Sequence, residues 1–572
     1  MTSTTPLTPQ EEEDREVFWW WCVGIGAAVA AHFALVLSAT GIGPAALGRS
    51  LGVLIRLPFG RPMQDGVVLG PLWLFLLWFA VIGAGIGAAC WGARWLGRRL
   101  FGLGDDNGLA TIADFRGRTK PEPGELPFAK LQGKPIYDTP EDTGVVLAPT
   151  GMGKTTRVVV KLMKRIGAKP AVQTSTKPEV LRLTAGFRRN FGTIWVFDPE
   201  RVSGWPTPCR WNIVAGCETD KVAMERAKAI VAARPLDGDS KNSGFFATAA
   251  QVIIRCLLHA AAVGRDQNGN QYTMRDVLAW TQDFSDDTPY TILRSHPDAI
   301  HSWHRDLMKY CRGEATETVS STEQTLSGIL EAFAIEAILD SVCPGEGVSF
   351  DPDAFHGSTD TIYLLSQSGS APLAAPVITA LVESIQHSAK VAATRTEAGK
   401  LVPELVNVLD EVANICPLPG LPSLMSEGRG FGIKTWGVGQ NRAQFEQRFG
   451  RDGAATILNN AAVFLALGGS KDTAHLRELA ELAGEREEQR FSTSYGDQHS
   501  STSTSTHKES NLTISQLHHL PVGQAVLFYR ELPPAIVELE AWFEGKDSSD
   551  YEASQEWVLS EEGFRNKVDA SA

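Results

Sequence analysis

Residues 145–156 read Val145-Val146-Leu147-Ala148-Pro149-Thr150-Gly151-Met152-Gly153-Lys154-Thr155-Thr156, an apolar strand that runs into a glycine-rich turn and then a helix. No other stretch constrains the fold so tightly. The pattern is that of a phosphate-binding loop. Backbone N–H groups of Thr150, Gly151, Met152, Gly153, Lys154, Thr155 and Thr156 would converge on a nucleotide. Lys154 would reach the β- and γ-phosphates, the Thr155 hydroxyl would ligate Mg²⁺, and the helix would aim its positive end at the same charge. One position departs from the motif, with Ala148 where it has glycine. The competing reading is an ordinary glycine-rich helix start.

A catalytic partner is needed, and Leu405-Val406-Asn407-Val408-Leu409-Asp410-Glu411 supplies one: an apolar strand ending in two carboxylates. In that role Asp410 holds Mg²⁺ through water, and Glu411 polarises the water that attacks the γ-phosphorus. Short apolar runs at 171–175, 193–198, 361–365 and 462–467 add strands to the two that carry these motifs, so the expected fold is α/β with a mainly parallel, buried sheet. A hairpin over 524–542, turning at Pro533-Pro534, closes it.

The distance from Lys154 to Asp410 is too long for plain strand–helix alternation. Between about Thr219 and Val342 strand signals vanish and helical patterns such as 245–258 take over, so an all-helical segment is inserted there.

The 572 residues are 43% apolar, enough for a large core and more than one domain. Eight cysteines lie scattered without C-x-x-C pairs, and His301-x-x-His304 has no carboxylate or cysteine cluster to complete a metal site. The net charge of −13 argues against a uniformly basic DNA-coating surface but leaves room for a basic channel lining. Two uncharged stretches, 17–48 and 66–93, each exceed the ~20 residues needed to span a bilayer. The acidic run Glu11-Glu12-Glu13-Asp14 before the first argues against a cleaved signal. Arg94, Arg98 and Arg99 follow the second, and a nucleotide site belongs in the cytosol, so both termini are expected inside.

These features, with Leu409-Asp410-Glu411-Val412-Ala413-Asn414, Ser426-Glu427-Gly428-Arg429-Gly430-Phe431-Gly432 and Gly437-Val438-Gly439-Gln440-Asn441, resemble type IV secretion coupling proteins of the TraG/TraD kind over roughly residues 15–545. The resemblance implies a RecA-like P-loop NTPase fold with an inserted all-α domain and two N-terminal transmembrane helices. It implies an ATP- and Mg²⁺-dependent homo-hexamer at the inner membrane, passing relaxase-bound DNA (single- or double-stranded) or effector proteins to the type IV channel. It assigns Arg429 as an arginine finger reaching a neighbouring subunit's site, and Gln440 as a sensor of the γ-phosphate or attacking water. An FtsK-like DNA translocase and a non-motor ATP-binding receptor are the alternatives.

The expected organisation is a cytoplasmic N-terminus (1–16), a two-helix membrane anchor (17–96) and a linker with short strands (97–142). A nucleotide-binding domain (143–218 and 343–545) follows, with the all-α substrate-recognition domain (219–342) inserted. Within it, 491–506 is expected to be a mobile Ser/Thr-rich loop. Residues 546–572 are expected to be a disordered acidic tail, an assignment that rests on eight acidic against three basic side chains from Glu544 onward.

Overall fold

The computed structural model describes residues 108–560, apart from 122–124, 235–242, 346–347, 368, 370–372 and 496–499. The expected anchor helices at 17–48 and 66–93 lie outside the described residues, as do 561–572. The described residues fall in one compact unit that begins at Gly108.

The strands are β1 (Ala129–Leu131), β2 (Lys134–Ile136), β3 (Gly144–Leu147), β4 (Ala171–Ser175), β5 (Ile194–Phe197), β6 (Thr361–Leu365), β7 (Leu405–Leu409), β8 (Ile433–Gly439), β9 (Val463–Leu467), β10 (Glu485–Tyr495), β11 (Ser500–Ser510), β12 (Gln524–Tyr529) and β13 (Ala535–Glu538). Eleven of them form one sheet in the order β2-β1-β13-β12-β9-β3-β8-β7-β4-β6-β5. From β9 to β5 every pairing is parallel, and from β9 outward to β2 every pairing is antiparallel.

The parallel strands are Val- and Leu-rich without alternation because both faces of the sheet are covered, and β3, β4, β6, β7 and β9 are buried at every position. Side chains still alternate between faces. Val145 and Leu147 join one apolar cluster with the helical insertion, whereas Val146 and Ala148 join a second cluster on the opposite face.

Between β5 and β6 the named elements are helices, from Asp220–Ala233 to Glu336–Ser341, followed by the short helix Pro352–Phe355. They share their core with one face of the sheet, through residues such as Ile253, Leu257, Leu326 and Phe333. Among the described residues one helix, Gly244–Val263, is long and apolar enough to cross a membrane, but 67% of its apolar window is buried. It is the central helix of this insertion.

Two expectations need correction, and a third gains detail. The short strands expected within 97–142 are β1 and β2, which extend the edge of the main sheet. They are joined by Gln132 and Gly133, both at positive φ (52° and 74°), the two-residue geometry whose twist matches paired strands. The Ser/Thr-rich stretch is a long hairpin rather than a loop, with β10 and β11 in register from Glu485↔Ser510 to Tyr495↔Ser500. Alternating Ser and Thr satisfies an extended backbone, and composition alone hid that period of two.

Part of the expected acidic tail is the helix Ser548–Ser560, packed on the helix Glu179–Arg188. Tyr551, Ser554 and Val558 form its buried stripe. Ser554 Oγ accepts from the Gly186 N–H (2.8 Å) and donates to the Arg182 carbonyl (2.9 Å). A Cβ on Gly186 would lie 2.5 Å from Ser554 Cα, so the absent side chain is what lets the helices touch.

Candidate active site

Parallel strands end together, and the ends of β3, β7 and β8 meet around one cleft. Leu147 pairs with Gly439 and Leu409 with Gly437. The phosphate loop leaves β3 here. Gly151 and Gly153 take φ of +87° and +81°, so these two positions require glycine. Ala148 does not: it is buried, and its N–H donates to the Gly439 carbonyl at 3.0 Å as one more rung of the parallel ladder. The departure from the motif is thus absorbed by the sheet.

The cleft has a volume of about 500 Å³, in the range of small-ligand sites. Its lining includes Thr150, Gly151, Gly153, Lys154, Thr155, Thr156, Asp410, Glu411 and Gln440. Of the seven loop residues expected at the nucleotide, Met152 alone is not in this lining. Its side chain packs beside Gly469, whose Cβ would meet the Met152 sulfur at 3.1 Å.

Lys154 Nζ forms an ion pair with Glu411 and lies 3.4 Å from Asp410 Oδ1. Glu411 also accepts from Gln440 Nε2 (3.1 and 3.3 Å) and from Asn414 Nδ2 (2.8 Å). Its backbone sits at φ +54°, a conformation costly for a non-glycine residue and typical of functional turns. That turn swings the carboxylate off the end of β7 toward Lys154. Asp410 is fixed by the Glu411 N–H on its Oδ1 (3.0 Å) and by Thr174, whose hydroxyl donates to its carbonyl (2.9 Å).

The two carboxyls are driven apart electrostatically. Burial pushes Asp410 up to about 6, a rise that Lys154 opposes and the Glu411 charge reinforces. Burial also acts on Glu411, but the Lys154 ion pair and the bonds from Gln440 and Asn414 outweigh it and hold Glu411 below the ordinary range.

The Thr155 hydroxyl and Asp410 carboxylate are hard oxygen donors. Among the described residues no group of three His, Cys, Asp or Glu is placed to cage a metal. This donor set fits Mg²⁺, which keeps several waters and takes one or two protein oxygens beside substrate phosphates.

Arg429 is not brought to this cleft. It is exposed in the last turn of the helix Leu421–Phe431, just before β8 begins, and acts electrostatically on Glu141 ahead of β3. That is the opposite end of the strands from Lys154.

Sequence reading missed Ser175, Thr176, Lys177 and Glu179, which line the cleft after β4. Their signal was available, because β4 is another parallel strand and its carboxyl end had to open on the same side. Asn414 had a signal too, three residues past Glu411 in the short turn Val412–Ile415 that Glu411 caps.

Residues 404–522, which contain β7 to β11 and both cleft carboxylates, match the family described as the TraM recognition site of TraD and TraG. The unbound structure of the bacterial conjugative coupling protein TrwB, lacking its first 70 residues, superposes with a TM-score of 0.55 at 15% identity. That alignment covers 75% of this chain and 92% of the truncated TrwB chain.

Residues 404–522 thus resemble the TraD and TraG family, and the chain shares the fold of TrwB.

TrwB complexes with the ATP analogue ADPNP and with ADP and Mg²⁺ align equally well, each with a TM-score of 0.54, 15% identity and coverage of 76% of this chain and 93% of the TrwB chain. At that identity the shared property is the fold. No curated protein matches the sequence.

Proposed function

We propose that this chain is a membrane-anchored ATPase that couples relaxase-bound DNA or effector proteins to a type IV conjugation channel. The observation that carries the reading is the convergence of Lys154, Asp410, Glu411 and Gln440 from three strand ends on one cleft. Binding alone needs the loop and its lysine. A buried pair of carboxylates, one held ionised and bonded to a glutamine at the end of the next strand, is the equipment of hydrolysis.

In this reading the loop amides and Lys154 bind the triphosphate, with Thr155 and Asp410 holding Mg²⁺. The ion supplies charge neutralisation to the phosphates. Glu411 orients the attacking water and takes its proton, and Gln440 fixes the Glu411 carboxylate and senses the γ-phosphate. Arg429, remote from its own cleft, serves the site of the next copy in a homo-hexamer, where an arginine supplied in trans is worth on the order of 10³ to 10⁵ in rate. Residues 219–342 read the substrate, and the stretches 17–48 and 66–93 hold the ring at the inner membrane with the motor in the cytoplasm.

The test is the ATPase rate of the purified full chain, titrated with single- and double-stranded DNA. Lys154→Ala is expected to lose nucleotide binding and hydrolysis together. Glu411→Gln is expected to keep binding and lose roughly 10²- to 10⁴-fold in turnover. Glu411→Gln hydrolysing at the unmodified rate would overturn the motor reading in favour of a receptor that only binds ATP.

A further inference from the structure

The helix that follows the phosphate loop presents Arg157, Lys161 and Lys164 on one face, at spacings of four and three residues. A C-terminal segment lies along that face with its own row of carboxylates. Glu544 takes Arg157 as a two-pronged pair (2.7 and 2.8 Å), Asp547 takes Lys161 (3.0 Å) and Lys164 (3.1 Å), and Asp550 takes Lys164 (2.6 Å). Lys164 also sits 4.7 Å from the centre of the Tyr551 ring. The acidic run that composition assigned to a free tail is neutralised by the chain's own loop helix.

The first of these pairs reaches the phosphate loop itself. The Arg157 N–H donates to the Gly153 carbonyl (2.8 Å), and a Cβ on Gly153 would meet Arg157 Cδ at 3.1 Å, so the arginine stem packs against the last glycine before Lys154. The far end of the same side chain donates to the Leu539 carbonyl (2.7 Å) as well as to Glu544. The turn between them is wide, with Val160 N–H bonded to the Thr155 carbonyl five residues back. Such a turn is uncommon and concentrates at functional sites. The carbonyl of Thr156 within it accepts instead from the Trp542 N–H (3.1 Å) of the same C-terminal segment. Glu544 in turn accepts from the Ala541 N–H (3.0 Å), which fixes its carboxylate before it meets Arg157.

We propose that residues 539–544 form a clamp that sets the phosphate loop, with Arg157 and Glu544 as positioning residues for nucleotide binding. The inference rests on the cleft being a nucleotide site and adds to it the group that holds the loop in shape. Neither side chain touches the nucleotide. Each acts through Gly153 and the wide turn, so the loop amides that receive phosphate are preorganised by a segment nearly 400 residues away in sequence. A bidentate guanidinium–carboxylate pair gives the direction and rigidity that a lysine would not.

The experiment measures dissociation constants for Mg·ADP and Mg·ATP by direct titration of the purified full chain, alongside thermal unfolding. Glu544→Gln and Arg157→Lys are expected to weaken nucleotide binding about three- to tenfold. The charge exchange Arg157→Glu with Glu544→Arg is expected to recover part of that loss. Asp550→Asn removes an ion pair of the same segment two turns further along. It is expected to lower the unfolding temperature without changing affinity. Affinities of Glu544→Gln and Arg157→Lys within twofold of the unmodified chain would overturn the clamp and leave the segment a structural strap. Absence of Mg·ADP binding to the unmodified chain would instead overturn the nucleotide-site reading on which the clamp depends.

Discussion

Asp410 is the residue whose chemistry the surroundings change most usefully. Its carboxyl is raised to about 6 chiefly by burial, while the unfolded chain ionises it near 3.8. A raised folded pKa stabilises the fold below the unfolded value, and that contribution is lost as pH climbs through about 6. The same shift governs the metal. An ion held by Asp410 needs the ionised form, so affinity for Mg·ADP should fall as pH drops below about 6, whereas affinity for metal-free ADP should fall less. Isothermal titration at pH 5.5 and 7.5, with and without Mg²⁺, measures the difference, and equal pH slopes would remove Asp410 from the metal site. Lys154 was legible from the glycine-rich loop and Asp410 and Glu411 from the apolar run that they end, whereas Gln440 came from the family resemblance. Asn414 and the Ser175–Glu179 lining were harder to read, because their roles depend on which strand ends lie side by side. The place of Arg157 had no sequence signal of its own: a basic residue in a helix reads as surface until its carboxylate partner is known.

The strands and helices divide by how local their cause is. The parallel strands announced themselves through continuous Val and Leu, and the structure places β4, β5, β6 and β9 within a residue of the expected runs. The Ser548–Ser560 helix did not, because its few buried residues are diluted by charges that make it resemble a solvated tail. Its order comes from tertiary contact, with Tyr551 edge-on to Phe187 at 5.6 Å and Arg189 4.3 Å from the Trp557 ring centre. Gly186 is the hinge of that contact. Gly186→Ala should force Ser554 away and cost at least 1–3 kcal/mol, the usual penalty for overpacking. Limited proteolysis should then cut the C-terminal segment faster than in the unmodified chain. An unchanged cleavage rate and an unchanged melting temperature would show that the two helices part without cost. The composition that misled at 491–506 did so for the opposite reason, since Ser and Thr mark loops by frequency and strands by alternation.

At the scale of the whole molecule, the single chain holds every proposed catalytic group except one where it can act. Arg429 stands at the far end of the strands, so a finger role requires another copy. Arg429→Ala should therefore bind Mg·ATP as the unmodified chain does and hydrolyse it at least 10³-fold more slowly. Mixing Arg429→Ala with Lys154→Ala chains should recover part of the activity, because an intact cleft of one can face an intact arginine of the other. No recovery on mixing, from chains shown to associate, would exclude action in trans. The apolar stretches proposed to hold such a ring in the membrane were read from length and charge alone, a test that the buried helix Gly244–Val263 also passes.

The pairing of Arg157 with Glu544 also fixes an order of events during synthesis. These residues are 387 positions apart, and at typical translation speeds the ribosome needs on the order of 20–80 s to cover that distance. The sheet edge waits as long, since β1 pairs with β13. For that interval the phosphate loop exists as peptide without the segment that shapes it. A chain released early carries the whole motif yet lacks its clamp, so binding strength at the phosphate loop reports whether residues 539–544 have been made.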